Sequence, residues 1–161
     1  MKSIVKADRP IPDPDLAGIV ARCSAKPAMM EELRRIYENA DRDIADTEAV
    51  CLGGGNCCKF DLFCHRLFLT PVELALLVSS QPPDKDRILR KRCPYQIGPR
   101  CSAYHRRALG CRIFFCRAEK QRFEELYEKY HREIQALHES YCIPYSYGEL
   151  TTGLMQLLSN E

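Results

Sequence analysis

The sequence predicts a mainly α protein with small extended or β pieces around a cysteine-rich segment, an α or α+β chain forming a single domain over residues 1–161. Three observations predict it. Apolar residues recur at helical spacing in two long stretches: Met30, Leu33, Ile36/Tyr37, Ala40, Ile44 and Thr47, then Phe123, Leu126/Tyr127, Tyr130, Ile134, Leu137 and Tyr141. Extended apolar runs are short, as at Leu67-Phe68-Leu69. Eight of the ten cysteines fall between residues 51 and 116, in stretches punctuated by glycine and proline. A chain of 161 residues with 45% hydrophobic content is the size of one domain. It can bury roughly two-thirds of its unfolded surface, so folding does not require disulfides.

Taken in order, residues 1–14 form a proline-rich extended lead. A short helix is expected from Asp15 to Cys23, with Asp13 near its cap and Pro14 at a tolerated early position. Pro27 opens a second helix of about 20 residues, whose polar faces carry the i,i+4 pairs Glu31–Arg35 and Glu38–Arg42. Gly53-Gly54-Gly55 ends regular structure. Leu67-Phe68-Leu69 reads as extended. Thr70, Pro71 and Glu73 form a capping box with proline at the first helical position, and the helix they start, to about Ser79, is apolar enough to be buried. A short helix with a basic end is expected over Asp84–Arg92, and a turn or hairpin over Cys93–Tyr104. Arg117–Tyr141 is the clearest helix, and a last one spans about Tyr147–Leu158. The cysteine-cluster core is thus 51–116, followed by C-terminal helices over 117–158.

The net charge of +2 gives no electrostatic case for nucleic acid or anionic membrane as the main partner. Asp8, Arg9, Pro10, Pro12, Asp13 and Pro14 interrupt the segment after Lys2 and Lys6, so no secretory signal is expected. No stretch approaches 18 consecutive apolar residues, so no membrane span is expected. A cytoplasmic location follows, where thiols stay reduced or metal-bound.

The clustered cysteines run Cys51-x5-Cys57-Cys58-x5-Cys64, then Cys93-x7-Cys101-x9-Cys111-x4-Cys116. One apolar helix separates the two groups and can bring them together by packing. Thiolates suit soft or borderline metals, and a four-thiolate site draws ligands from two places in the chain. Cys57, Cys58, Cys93, Cys101 and Cys111 lead the candidate metal ligands, with Cys51, Cys64 and Cys116 behind them. The cofactor expected is an iron–sulfur cluster or zinc; spacing leaves both open, because neither the repeated C-x2-4-C of zinc sites nor the ferredoxin run is present. Iron–sulfur would imply redox or electron transfer with a redox partner. A closed zinc site would imply an interaction module with a protein partner. A metal-free thiol-redox protein is the third class. Arg106, Arg107 and Arg112 are placed to offset thiolate charge. Cys23 and Cys142 read as buried small hydrophobes, His65 and His105 as candidate mixed ligands, and His131 and His138 as surface or interface residues. Tyr104, Phe114 and Phe115 are expected to shield the cluster. Oligomeric state, substrate and any catalytic residue are not specified by these patterns.

The chain resembles the YkgJ-like cysteine-cluster family, described as zinc- or iron-chelating proteins. That family shows C-x-x-C-G-x-C-C, an L-T-x-x-E helix start, then C-P-x(n)-C-x-x-Y-x-x-R-x-x-x-C-R-x-F. Here Cys51-Leu52-Gly53-Gly54-Gly55-Asn56-Cys57-Cys58 stands for the first, Leu69-Thr70-Pro71-Val72-Glu73 for the second, and Cys93-Pro94, Cys101-Ser102-Ala103-Tyr104 and Arg107-Ala108-Leu109-Gly110-Cys111-Arg112-Ile113-Phe114 for the third. The match covers about residues 51–116. Gly54 stands where the family often has its second cysteine, Arg107-Ala108 where it usually has Arg-Pro, and Cys64 and Cys116 are additions. The resemblance implies iron–sulfur or zinc binding and no particular reaction. Flagellin lysine methylases carry a related cysteine region, but no methyltransferase site is visible in this sequence.

Overall fold

The computed structural model describes residues 15–51, 53–63, 66–113 and 119–160. The proline-rich lead, Cys64, His65, Phe114, Phe115, Cys116 and the expected start of the long helix at Arg117 lie outside these. The described chain runs α1 (Leu16–Ser24), α2 (Pro27–Ala45), a 3-10 turn (Asn56–Cys58), α3 (Phe60–Phe63), β1 (Phe68–Leu69), α4 (Pro71–Val78), α5 (Lys85–Leu89), β2 (Gln96–Ile97), β3 (Arg100–Cys101), a second 3-10 turn (Tyr104–Arg106), α6 (Leu109–Ile113), α7 (Lys120–Ser140), β4 (Gly148–Glu149) and α8 (Leu150–Ser159). It is mainly α with small antiparallel sheets, as the sequence predicts. Among the described residues, no helix is long and apolar enough to cross a membrane.

The apolar spacing of α2 and α7 dictates how they pack. Met30, Leu33, Tyr37, Ala40 and Ile44 are buried on α2, and Phe123, Leu126, Tyr130, Ile134 and Leu137 on α7. The two stripes face each other, and Leu33 and Ile134 are fully buried. Each such side chain contributes roughly 1.5–3 kcal/mol when removed from water. Helix α4 is apolar apart from Glu73, and is buried between α1, α2 and α8. Glu31 pairs with Arg34 at 3.3 Å, one residue before the expected partner.

Two small sheets complete the frame. Strands β2 and β3 form the expected hairpin, with Gln96 opposite Cys101 and Ile97 opposite Arg100. Its turn is Gly98-Pro99, and Gly98 takes a φ of 58° that favours glycine. The other sheet pairs β1 with β4, Phe68 opposite Glu149, joining segments that are distant in sequence. This pairing shortens the last helix. Gly148 and Glu149 are strand, α8 begins at Leu150, and Glu149 caps it by accepting from the backbone N–H groups of Thr151 (3.0 Å) and Thr152 (2.9 Å). Helix α6 is absent from the sequence expectation. Its five residues are too few to show a helical period, and Gly110 sits inside it.

Candidate metal centre

Glu73 is the first residue to consider, although it lies outside the cysteine segments. It is 2% exposed. One carboxylate oxygen accepts from the Thr70 N–H (2.8 Å) and Thr70 hydroxyl (3.0 Å). The other accepts from the Tyr37 hydroxyl (3.1 Å) and the Leu109 N–H (2.9 Å). The capping box expected at α4 is present, and the same carboxylate also ties α4 to α2 and to the first turn of α6. Because α6 carries Cys111, a buried acid on a remote helix fixes where that thiol sits. A buried carboxylate with four donors is tolerable, whereas one with fewer is costly. Glycine serves the same placement. A Cβ on Gly110 would meet Leu67 Cδ1 at 2.7 Å, so a larger residue there would push the Leu67 side chain aside.

Hydrogen bonds join the two cysteine loops. Cys93 N–H donates to the Cys58 carbonyl (2.9 Å), and Asp61 N–H to the Lys91 carbonyl (3.2 Å). The Gln96 amide donates to the Gly55 carbonyl (2.9 Å). Arg92 pairs with Asp61 at 3.0 Å. Gly55 has a φ of 65°, and a Cβ there would meet the Pro99 Cα at 3.0 Å and displace the Gln96 amide, so its conformation and the close backbone approach favour glycine.

These constraints bring five cysteines to one place. Cys57 and Cys58 on the first 3-10 turn, Cys93, Cys101 on β3 and Cys111 on α6 line a single cavity of about 280 Å³. The Cys57 and Cys58 sulfurs are 4.0 Å apart, and the Cys58 thiol also interacts with that of Cys93. The other walls include Phe60, Leu67, Phe68, Leu77, Tyr127 and Tyr147, with Arg66 and Arg107 as the basic side chains. The hydroxyls of Tyr127 and Tyr147 hydrogen-bond each other at the cavity wall. Cys51 is exposed and is not among the lining residues. Cys23 is buried, as expected, whereas Cys142 is exposed. Cys142 follows α7 with a φ of 52°, past the apolar stripe that was expected to bury it. The expectation that His131 and His138 lie at the surface fails for His138. That residue is fully buried, with its ring against the Ile143 and Pro144 backbone. Burial holds its imidazole below the usual histidine range. His105 is exposed, with its ring edge-on to Tyr104, and is not among the lining residues.

The thiols suppress one another's ionisation. Cys57 is raised first by its hydrogen bond to Cys58 and then by burial. Cys58 is pulled down by Cys57 but carried up to about 12 by Cys93, burial and Cys101. Burial, then Cys58 and Cys101, raise Cys111. Burial raises Cys101, opposed by the Ala103 backbone and Arg107. The clustered thiols favour their neutral form, and a soft metal ion, if bound, would displace their protons. The donor set therefore fits a soft metal. The geometry is more selective. Among the described residues, no three His, Cys, Asp or Glu side chains converge as they stand on a position that holds a metal ion. The thiols surround a cavity and do not meet at a point.

Of the three arginines expected to offset thiolate charge, one is committed elsewhere. Arg112 is 4% exposed, lies 4.1 Å over the Tyr37 ring and pairs with Asp41. Its remaining nitrogens donate to the Arg107 carbonyl (3.0 Å) and the His105 carbonyl (2.6 Å), which fixes the backbone of the turn before α6. No family model, curated protein or solved structure matches the chain.

Proposed function

We propose that this protein holds an iron–sulfur cluster on Cys57, Cys58, Cys93, Cys101 and Cys111, or on four of them, and serves redox or electron transfer in a reducing, cytoplasmic setting. The observation that carries the reading is that five thiols from four separate places in the chain line one cavity of about 280 Å³ without converging on a single ion. A polynuclear cluster sets its ligands farther apart than one tetrahedral ion does, which suits such an open arrangement. The cluster would supply one-electron chemistry. The chain's own part is to fix the thiols through the Glu73 and Gly55 contacts and to exclude water with Phe60, Phe68, Leu77 and Tyr127. The resemblance of residues 51–116 to the YkgJ-like family supports metal binding through these cysteines and leaves iron–sulfur and zinc both open.

Structural zinc is the second reading. It is favoured by the 4.0 Å between the Cys57 and Cys58 sulfurs, close to the ligand separation of roughly 3.8 Å that zinc–sulfur bonds of about 2.3 Å impose on a tetrahedron. A metal-free thiol-redox role is disfavoured because reactive cysteines carry lowered pKa values, and here they are raised. A cysteine-to-serine series tests the assignment. After anaerobic reconstitution with iron and sulfide, Cys111→Ser loses most of its bound iron, and Cys23→Ser retains it. Equal loss from both, with folding intact, would overturn the ligand set.

A further inference from the structure

We infer that Arg107 is the positioned cation of the cysteine cavity, facing the thiols and offsetting the negative charge they carry when loaded. The inference rests on the proposed metal-binding role and assigns a part in it to one residue. Arg107 and Arg66 are the charged side chains of the cavity wall, and Arg66 is exposed. The Arg107 guanidinium lies flat against the Tyr104 ring, its central carbon 3.8 Å from the ring centroid. Stacking of this kind fixes the plane of the group without using its N–H donors. Its Nε is buried with no hydrogen-bond partner, an expensive arrangement unless a negative group completes it.

The neighbouring arginines differ. Arg106 Nε donates to the Leu77 carbonyl (3.4 Å), and Arg112 is held by Asp41, two carbonyls and the Tyr37 ring. Arg112 also clamps the Arg107 carbonyl, so the backbone that presents Arg107 is fixed independently of its side chain. The charge of Arg107 is felt at Cys57, Cys101 and Cys111, which come from three separate segments. Arg106 acts as well on Cys101, but Arg107 is the cation that reaches all three thiols and lines the cavity with them. Hydrogen bonds and charges around cluster sulfurs set both retention and reduction potential.

The test compares wild type, Arg107→Gln and Arg107→Lys, all checked for folding by thermal melting. In the metal-free, reduced protein, cysteine alkylation by anionic iodoacetate is compared with alkylation by neutral iodoacetamide. Wild type and Arg107→Lys show a several-fold higher iodoacetate-to-iodoacetamide ratio than Arg107→Gln. In the reconstituted protein, loss of iron to a chelator is about 10- to 100-fold faster in Arg107→Gln, near wild type in Arg107→Lys, and the reduction potential falls in Arg107→Gln. Equal alkylation ratios in all three proteins overturn the inference. So does a lysine variant that behaves like glutamine, because shape rather than charge would then be the cause. If wild type takes up no metal while the alkylation ratios still separate, the metal reading fails and the charge placement of Arg107 stands.

Discussion

The helical frame and the cysteine loops are stabilised by different forces. In the frame, α2 and α7 meet along continuous apolar stripes, and α4 is buried on nearly every residue. In the loops, the regular elements are two to five residues long, and the joints are single hydrogen bonds such as Cys93 to Cys58 and Gln96 to Gly55. The frame can hold itself together, whereas the loops gather five thiols that repel one another once ionised. Apolar burial builds the scaffold, and under the proposed function a bound metal would complete the loops placed on it.

The largest expected effect separates the two regions outright. Removing metal with a chelator under reducing conditions should expose the amides of residues 53–63 and 93–113 to hydrogen exchange while α2, α4 and α7 stay protected. Uniform exposure of both regions, or of neither, would break the comparison. Next is Leu33→Ala in the frame, which should cost about 2–5 kcal/mol in urea unfolding and leave iron per folded molecule unchanged. A parallel loss of iron would show that the frame and the loops are one unit.

Glu73→Gln sharpens the boundary, because this carboxylate belongs to both regions. It should cost about 1–3 kcal/mol, since a carboxamide cannot accept all four hydrogen bonds, and it should also lower iron content by displacing α6 and Cys111. A stability loss with full iron content would confine Glu73 to the frame. The smallest effect belongs to Glu149. Burial alone would raise its carboxyl, but hydrogen bonds from Thr151 and Thr152 hold it below its ordinary value of 4.5. A lowered carboxyl stabilises the folded state fully above that ordinary value, and the contribution is lost as pH falls through the folded one. Glu149→Ala should therefore cost about 1 kcal/mol near neutrality and flatten the acid limb of the stability curve. An unchanged acid limb would contradict the capping role.

Most of the frame was legible in the sequence because its signals are local and periodic. The α2 and α7 stripes, the Thr70–Glu73 capping box and the Gly98-Pro99 turn all depend on neighbours within a few residues. Pairing of β1 with β4 was not legible, since it joins Phe68 to Glu149 across most of the C-terminal half. Helix α6 was hidden by its length and its glycine. Of the candidate site, the five leading cysteines were named, but not what gathers them. Glu73 read only as a cap, although its position between α2 and α6 gives it a second pair of donors. Arg112 sits among the cysteines in sequence but in space turns away toward Asp41 on α2. Charge near a cluster in sequence is therefore a poor guide to charge near it in space.

The central claim is that the five cavity thiols hold a polynuclear soft-metal centre. The most direct measurement is iron, acid-labile sulfide and zinc analysis with a visible absorption spectrum on one anaerobically purified sample. The account predicts a coloured protein with iron and sulfide in matching amounts and little zinc. A colourless protein carrying one equivalent of zinc, or no metal at all with every thiol free, would contradict it.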